Sequence, residues 1–195
     1  RGVVSLTCLK TTIEGINVQI GSRNIASSPF KINIKMRMGN RSGQRKFGCS
    51  VFKVSILRDK NMNSTLDIAV IQTACTSNRE ANLQATIGQI VDASKFGAKL
   101  ICLQELFAST YFCQSENHEH FNLAQSIPGA ITDQLSELAN QLSVVIIAPV
   151  FERRAAGLFH NSAVIIESDG SLLGTYRKMH IPDDPYFYEK FYFTP

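Results

Sequence analysis

Leu66-Asp-Ile-Ala-Val-Ile-Gln72 and Lys99-Leu-Ile-Cys-Leu-Gln-Glu105 bracket the stretch whose reading decides the fold. The first is a short apolar run with β-branched Ile68, Val70 and Ile71, as a buried strand requires. Between the two, Ser77-Asn-Arg-Glu80 has the spacing of a capping box, in which the Ser hydroxyl and the Glu carboxylate satisfy each other's backbone donors. Leu83, Ile87, Ile90 and Val91 follow at helical spacing, and Gly97 supplies a stop. Lys99–Gln104 reads as the next strand, with Glu105 at its C-terminal end. Strand, helix, strand at this spacing is a βαβ unit, and it implies parallel strands.

Outward from that unit the pattern continues. Thr132–Leu142 reads as a second helix with Leu135, Leu138, Ala139 and Leu142 on its apolar face. Val144–Phe151 reads as a strand. Asn161–Glu167 and Ser171–Tyr176, joined by Ser168-Asp169-Gly170, read as a hairpin with an Asp-Gly turn. The fold class that follows is α/β with a mixed sheet.

The charge balance changes sharply along the chain. Residues 1–63 carry twelve Lys and Arg against only Glu14 and Asp59, whereas residues 64–195 carry eight against fourteen Asp and Glu. A break of that size separates a basic front segment, 1–63, from a mildly acidic globular one, 64–195. Five cysteines (Cys8, Cys49, Cys75, Cys102 and Cys113) show neither C-x-x-C spacing nor a His at zinc-ligand spacing. A disulfide framework or structural zinc is not expected, and a reducing, cytoplasmic setting fits. The longest apolar runs, such as Val144–Val150, fall short of a membrane span.

The front segment admits several readings. Phe30, Ile32, Ile34, Met36 and Met38 alternate with mostly polar residues, Asn40-Arg41-Ser42-Gly43 offers a turn, and Phe47, Cys49 and Val51 resume the alternation. That is a basic β-hairpin, able to meet an anionic surface. An Arg- and Ser-containing, acid-poor stretch also has the composition of an organellar transit peptide. Alternatively, Met62 is the initiator and everything upstream is an over-extended translation. None of these establishes a nucleic-acid or membrane partner.

Two residues carry candidate chemistry. Glu105 sits among Ile101, Cys102, Leu103, Leu106 and Phe107, where partial desolvation would raise its pKa and suit it to carrying protons near neutral pH. Strand C-terminal ends in parallel sheets are also where active sites collect. The plain alternative is a carboxylate that emerges into solvent. Lys178, flanked by Arg177 and His180, is equally a candidate cation or a solvated basic edge.

Five segments together resemble the nitrilase (carbon–nitrogen hydrolase) superfamily: Gln-Glu105-Leu-Phe, Tyr111-Phe-Cys-Gln, Phe159-His-Asn161-Ser-Ala-Val, Tyr176-Arg-Lys178-Met-His-Ile-Pro-Asp-Asp-Pro and Tyr188-Glu189-Lys-Phe-Tyr-Phe-Thr-Pro. They occur in family order between Leu66 and Pro195, and within the superfamily look most like the N-carbamoylputrescine amidohydrolase branch. The resemblance implies a four-layer α-β-β-α sandwich, of which residues 64–195 supply the first half. It implies Glu105 as general base, Lys178 as stabiliser of the oxyanion, and Glu189 as a second glutamate that positions the Lys or the substrate.

The family's third catalytic residue is a nucleophilic Cys, expected beyond Pro195. Cys102 falls in the second strand and Cys113 in a loop element, so neither is expected to replace it, and residues 1–195 alone are expected to be inactive. The implied substrate is a small carbamoylated amine or amide, with no metal or organic cofactor. Tyr111, Asp183 and Asp184 are candidate substrate-binding residues, with Glu116 a further acid that could meet a distal ammonium. Alternatives are a β-ureidopropionase or ω-amidase type of activity, or a non-catalytic interaction module. Association into a homo-oligomer is expected of the complete domain, and residues 62–195 by themselves are expected to leave the inner sheet face uncovered and to be poorly soluble.

Overall fold

Alternation along the central strands assigns each side chain to one of two sheet faces. In the computed structural model, which describes residues 31–37, 49–58 and 62–195 and side chains from Leu66 onward, seven strands line up in sequence order in one sheet. They are β1 (Lys31–Arg37), β2 (Cys49–Arg58), β3 (Met62–Ile71), β4 (Leu100–Cys102), β5 (Val145–Ala155), β6 (Leu158–Ile166) and β7 (Leu172–Arg177). β3, β4 and β5 are parallel, while β2, β6 and β7 join antiparallel to their neighbours. This is the mixed α/β sheet that the pattern implies.

Of the alternating residues of the front segment, Ile32, Ile34 and Met36 fall on β1 and Cys49 and Val51 on β2, while Phe30, Met38 and Phe47 lie outside the described residues; β2 pairs with β3 from Cys49↔Ile71 to Arg58↔Met62. The expected turn at 40–43 lies outside the described residues.

Helices α1 (Arg79–Lys95) and α2 (Ala130–Leu142) make the two crossovers between the parallel strands. Both cover the same sheet face. Ala69, Ile71, Ile101, Ile146, Ala148, Val150, Val164 and Ile166 point to it and pack with Leu83, Ile90, Leu135 and Ala139. At about 25 cal/mol per Å² of apolar surface removed from water, this layer is the main stabilising term. The opposite face carries Ile68, Leu100 and Ile147, with Leu66, Val145, Ala163 and Ile165 only half-buried beside them.

Several local expectations shift by a few residues. The cap of α1 is Asn78, whose side chain accepts from the Ala81 amide at 3.0 Å, and Ser77 precedes it. Asn caps as well as Ser, so the helix starts one residue later than the capping-box spacing suggested. Gly97 ends the helix as expected, with φ +94°. β4 is only three residues long, so Glu105 lies past the strand rather than at its last residue. The Asp169-Gly170 turn forms as predicted. Gly170 has φ +86°, and a Cβ there would lie 2.7 Å from the Ser136 carbonyl oxygen of α2, so the hairpin packs on the helix only through glycine.

Candidate active site

The loops after β3 and β4 leave the same end of the parallel strands, and polar side chains tie them together. The Thr73 amide donates to Gln104 Oε1 at 2.5 Å, and Gln104 Nε2 donates to Cys75 Sγ at 3.1 Å. Asn82, buried on α1, donates to the carbonyls of Thr76 (2.7 Å) and Ala108 (3.2 Å). Between these anchors the backbone turns sharply at Leu106, a non-glycine residue at φ +52° whose side chain is buried. Glu105 sits at that corner.

Three further segments bring side chains to it. Asn161 of β6 donates from Nδ2 to Glu105 Oε1 at 2.6 Å, and its backbone carbonyl accepts from the Lys178 amide at 2.8 Å. Lys178, one residue past β7, places Nζ 3.1 Å from Glu105 Oε1 and 2.6 Å from Glu189 Oε2. Glu189 opens the short helix α3 (Glu189–Tyr192) and accepts on its other oxygen from the Tyr111 hydroxyl at 3.0 Å. The chain around Glu189 is held by aromatic packing, with Phe112 stacked on Phe151 and Phe193 edge-on to it, both at 5.1 Å between ring centroids. The Tyr192 hydroxyl donates to the Ser115 carbonyl at 2.5 Å and accepts from the Asn117 amide at 2.9 Å.

Exposure is graded across the group: the Glu105 side chain is 44% exposed, Lys178 29% and Glu189 6%. The sequence left Glu105 either partly desolvated or emerging into solvent; it is the most open of the three, at a corner where its neighbours Leu106 and Phe107 are buried. Burial pulls the Lys178 ammonium down, but its hydrogen bond to Glu189 and the charges of Glu105 and Glu189 outweigh that and raise it, so it stays protonated. Burial and the charge of Glu189 push the Tyr111 hydroxyl up, keeping it a donor. A cation held between two carboxylates, one facing solvent, can stabilise a developing oxyanion while the exposed carboxylate exchanges protons.

The family model for carbon-nitrogen hydrolase matches residues 67–195. The chain belongs to the carbon-nitrogen hydrolase family. An N-carbamoylputrescine amidase of Solanum lycopersicum is 41% identical over 134 residues, which are 68% of this chain and 44% of that protein. A citrullinase of Francisella tularensis is 38% identical over 133 residues, 68% of this chain and 46% of that protein. Among solved structures, the carbon-nitrogen hydrolase of Helicobacter pylori G27 superposes with a TM-score of 0.62 at 47% identity, over 66% of this chain and 44% of that one. The chain thus spans less than half the length of the curated relatives it matches.

Of the residues singled out in this hydrolase chain, the structure gathers Glu105, Lys178, Glu189 and Tyr111 into one hydrogen-bonded group. Tyr111 enters it through Glu189. Asp183 and Asp184 stand apart on the exposed loop after Lys178, where Lys190 Nζ is 3.9 Å from Asp183 and the Asp184 carbonyl accepts from the Phe187 amide at 2.8 Å. Buried Ile181 anchors that loop and turns the two acids outward. Glu116 is exposed as well.

Among the described cysteines, Cys102 is half-buried on β4. Cys113 is fully buried, its thiol pushed up to about 12 by burial and by the charges of Glu189 and Glu105. No group of three His, Cys, Asp or Glu able to hold a metal occurs among the described residues, and no helix among them is long and apolar enough to cross a membrane.

Asn161 is the member of this hydrogen-bonded group that residue chemistry alone did not single out. The available signal was a polar His-Asn-Ser run inside an otherwise apolar strand, Leu158–Ile166.

Proposed function

We propose that this domain hydrolyses a carbamoylated amine, with N-carbamoylputrescine as substrate, giving putrescine, carbon dioxide and ammonia with consumption of one water. The observation that carries the reading is the Lys178 ammonium held at 2.6 and 3.1 Å between Glu189 and Glu105 in a carbon-nitrogen hydrolase chain. A relative of 41% identity named N-carbamoylputrescine amidase supports the substrate.

In this mechanism a cysteine placed beyond Pro195 gives its proton to Glu105 and attacks the ureido carbon. Lys178 stabilises the oxyanion of the tetrahedral intermediate. Glu105 returns the proton to departing ammonia, then takes one from the water that releases the carbamate, which loses carbon dioxide. Asn161 and Lys178 both donate to Glu105 Oε1, which leaves Oε2 as the oxygen that exchanges the proton. Glu189 holds the ammonium and Tyr111 holds Glu189.

The test is to read the coding sequence past the codon for Pro195, express the full reading frame, and measure ammonia release from N-carbamoylputrescine and from citrulline. Activity that falls at least roughly 100-fold in Glu105→Gln and in Lys178→Met supports the mechanism. Preference for citrulline, or for an ω-amide, moves the substrate but keeps the chemistry. Hydrolysis indifferent to both substitutions overturns the assignment. A stop codon directly after Pro195 leaves the non-catalytic module as the reading.

A further inference from the structure

On the helix-covered face of the sheet, opposite Lys178, lies an ion pair that the reaction does not use. Glu152 of β5 is 3% exposed. Arg177 of β7 reaches it with both arms of its fork, Nε to Oε2 at 2.8 Å and Nη2 to Oε1 at 2.6 Å. Ser162 Oγ donates to Oε2 at 2.5 Å. His160, in register with Glu152, donates from Nδ1 to the Thr194 carbonyl at 2.8 Å.

We infer that the Glu152–Arg177 pair is a positioning device that sets the register of β7, so that Lys178 and not Arg177 enters the acid pair. Three observations carry this. Arg177 and Lys178 are adjacent cations and point to opposite faces, so a slip of one residue would exchange them. The hairpin turn alone does not prevent such a slip. Pairing jumps from Ile165↔Gly174 to Ile166↔Leu172, so a bulge already displaces β7 by one residue between the turn and the site. Finally, the two acceptor sites differ in shape. Glu152 presents both oxygens to a planar fork, which a guanidinium fills and an ammonium does not, whereas Glu105 and Glu189 flank a single point charge. Glu152 is buried and the Arg177 side chain is 34% exposed; for a pair taken largely out of water, register specificity is the best-attested use and the net contribution to stability is small.

The inference rests on Lys178 being the cation of the proposed reaction, but its test needs no turnover. In the full-length protein, acetylation of lysine amines by acetic anhydride is followed by peptide mass spectrometry, with exposed Lys95 and Lys190 as internal references. Hydrogen exchange of the Lys178 amide is followed in parallel.

The Glu152→Leu/Arg177→Met double variant removes both charges and leaves none buried alone, so it keeps its thermal midpoint. It is expected to acetylate Lys178 at least about tenfold faster than wild type and to lose protection of the Lys178 amide. Ile90→Val, a core change, lowers the midpoint and leaves Lys178 as in wild type.

Wild-type labelling of Lys178 in the folded double variant overturns the inference. If that variant does not fold, Arg177→Lys decides: it keeps the charge but not the fork, and wild-type labelling there overturns it equally. Failure of the hydrolase reading shows differently, as a protected Lys178 in a protein without ureido hydrolysis.

Discussion

Asn161 bonds Glu105 through its side chain and Lys178 through its backbone, at 2.6 and 2.8 Å, so a single residue of β6 sets the distance between the exposed acid and the cation. The strand fixes the carbonyl and the rotamer fixes the amide, so neither partner can drift without disturbing the other.

Asn161→Ala is expected to leave the sheet intact and to lower kcat of the full reading frame by roughly ten- to hundredfold. That corresponds to loss of a hydrogen bond to a charged group, about 1.5–3 kcal/mol. Asn161→Asp is expected to be worse, since it sets a second carboxylate against Glu105. Steady-state kinetics with circular dichroism on both variants checks this, and equal rates in wild type and Asn161→Ala would remove Asn161 from the site.

Cys113 offers a second check. With its thiol pushed up to about 12, only about one molecule in ten thousand carries the thiolate at pH 8, and the sulfur is buried as well. Iodoacetamide at pH 8 is expected to leave Cys113 unmodified in the folded protein and to alkylate it in urea. Rapid alkylation of the folded chain at Cys113 would reopen its candidacy as a nucleophile.

Acid stability tests Glu152. Burial raises its carboxyl, but the hydrogen bonds from Arg177 and Ser162 outweigh that and hold it below the ordinary 4.5. A group depressed in the folded state takes up protons more readily when unfolded, so its stabilisation is complete above the ordinary value and is lost as pH falls through the folded one. Thermal midpoints measured from pH 6 down to pH 3 are expected to drop over this window in wild type and to drop less in Glu152→Gln. Parallel curves would contradict the depressed value.

Gly170→Ala probes the hairpin that carries β7. The left-handed backbone at φ +86° costs an alanine about 1–2 kcal/mol, before the contact with the Ser136 carbonyl is counted. For a chain of this size the thermal midpoint is expected to fall by about 2–4 °C per kcal/mol. An unchanged midpoint would mean that the turn relaxes away from α2.

The elements of the fold were legible because their signals are local. Ile68, Val70 and Ile71 mark a strand by their branching, and Asp169-Gly170 marks a turn by the conformation it needs. Errors arose where two neighbours serve equally well, as with Ser77 and Asn78 at the helix cap. The site was legible only in part. Glu105 and Lys178 were found through their motifs, but the openness of Glu105 depends on Leu106 adopting φ +52°, which nothing in an apolar run announces. Arg177 drew no reading of its own, because its partner, Glu152, is 25 residues away on another strand.

The separations within the site have their own consequence. Asn161 and Glu105 are 56 residues apart in sequence, Lys178 and Glu105 73, and Tyr111 and Glu189 78. Only the Lys178–Glu189 pair, 11 residues apart, is close in sequence, so the links to Glu105 and Tyr111 cannot form before the sheet closes and belong to the late, slow stage of folding. The same topology makes these links the first thing lost: Lys178 hangs from β7, the last strand in the sheet order, and a brief fraying of that strand would take the ammonium out while the parallel core stays folded.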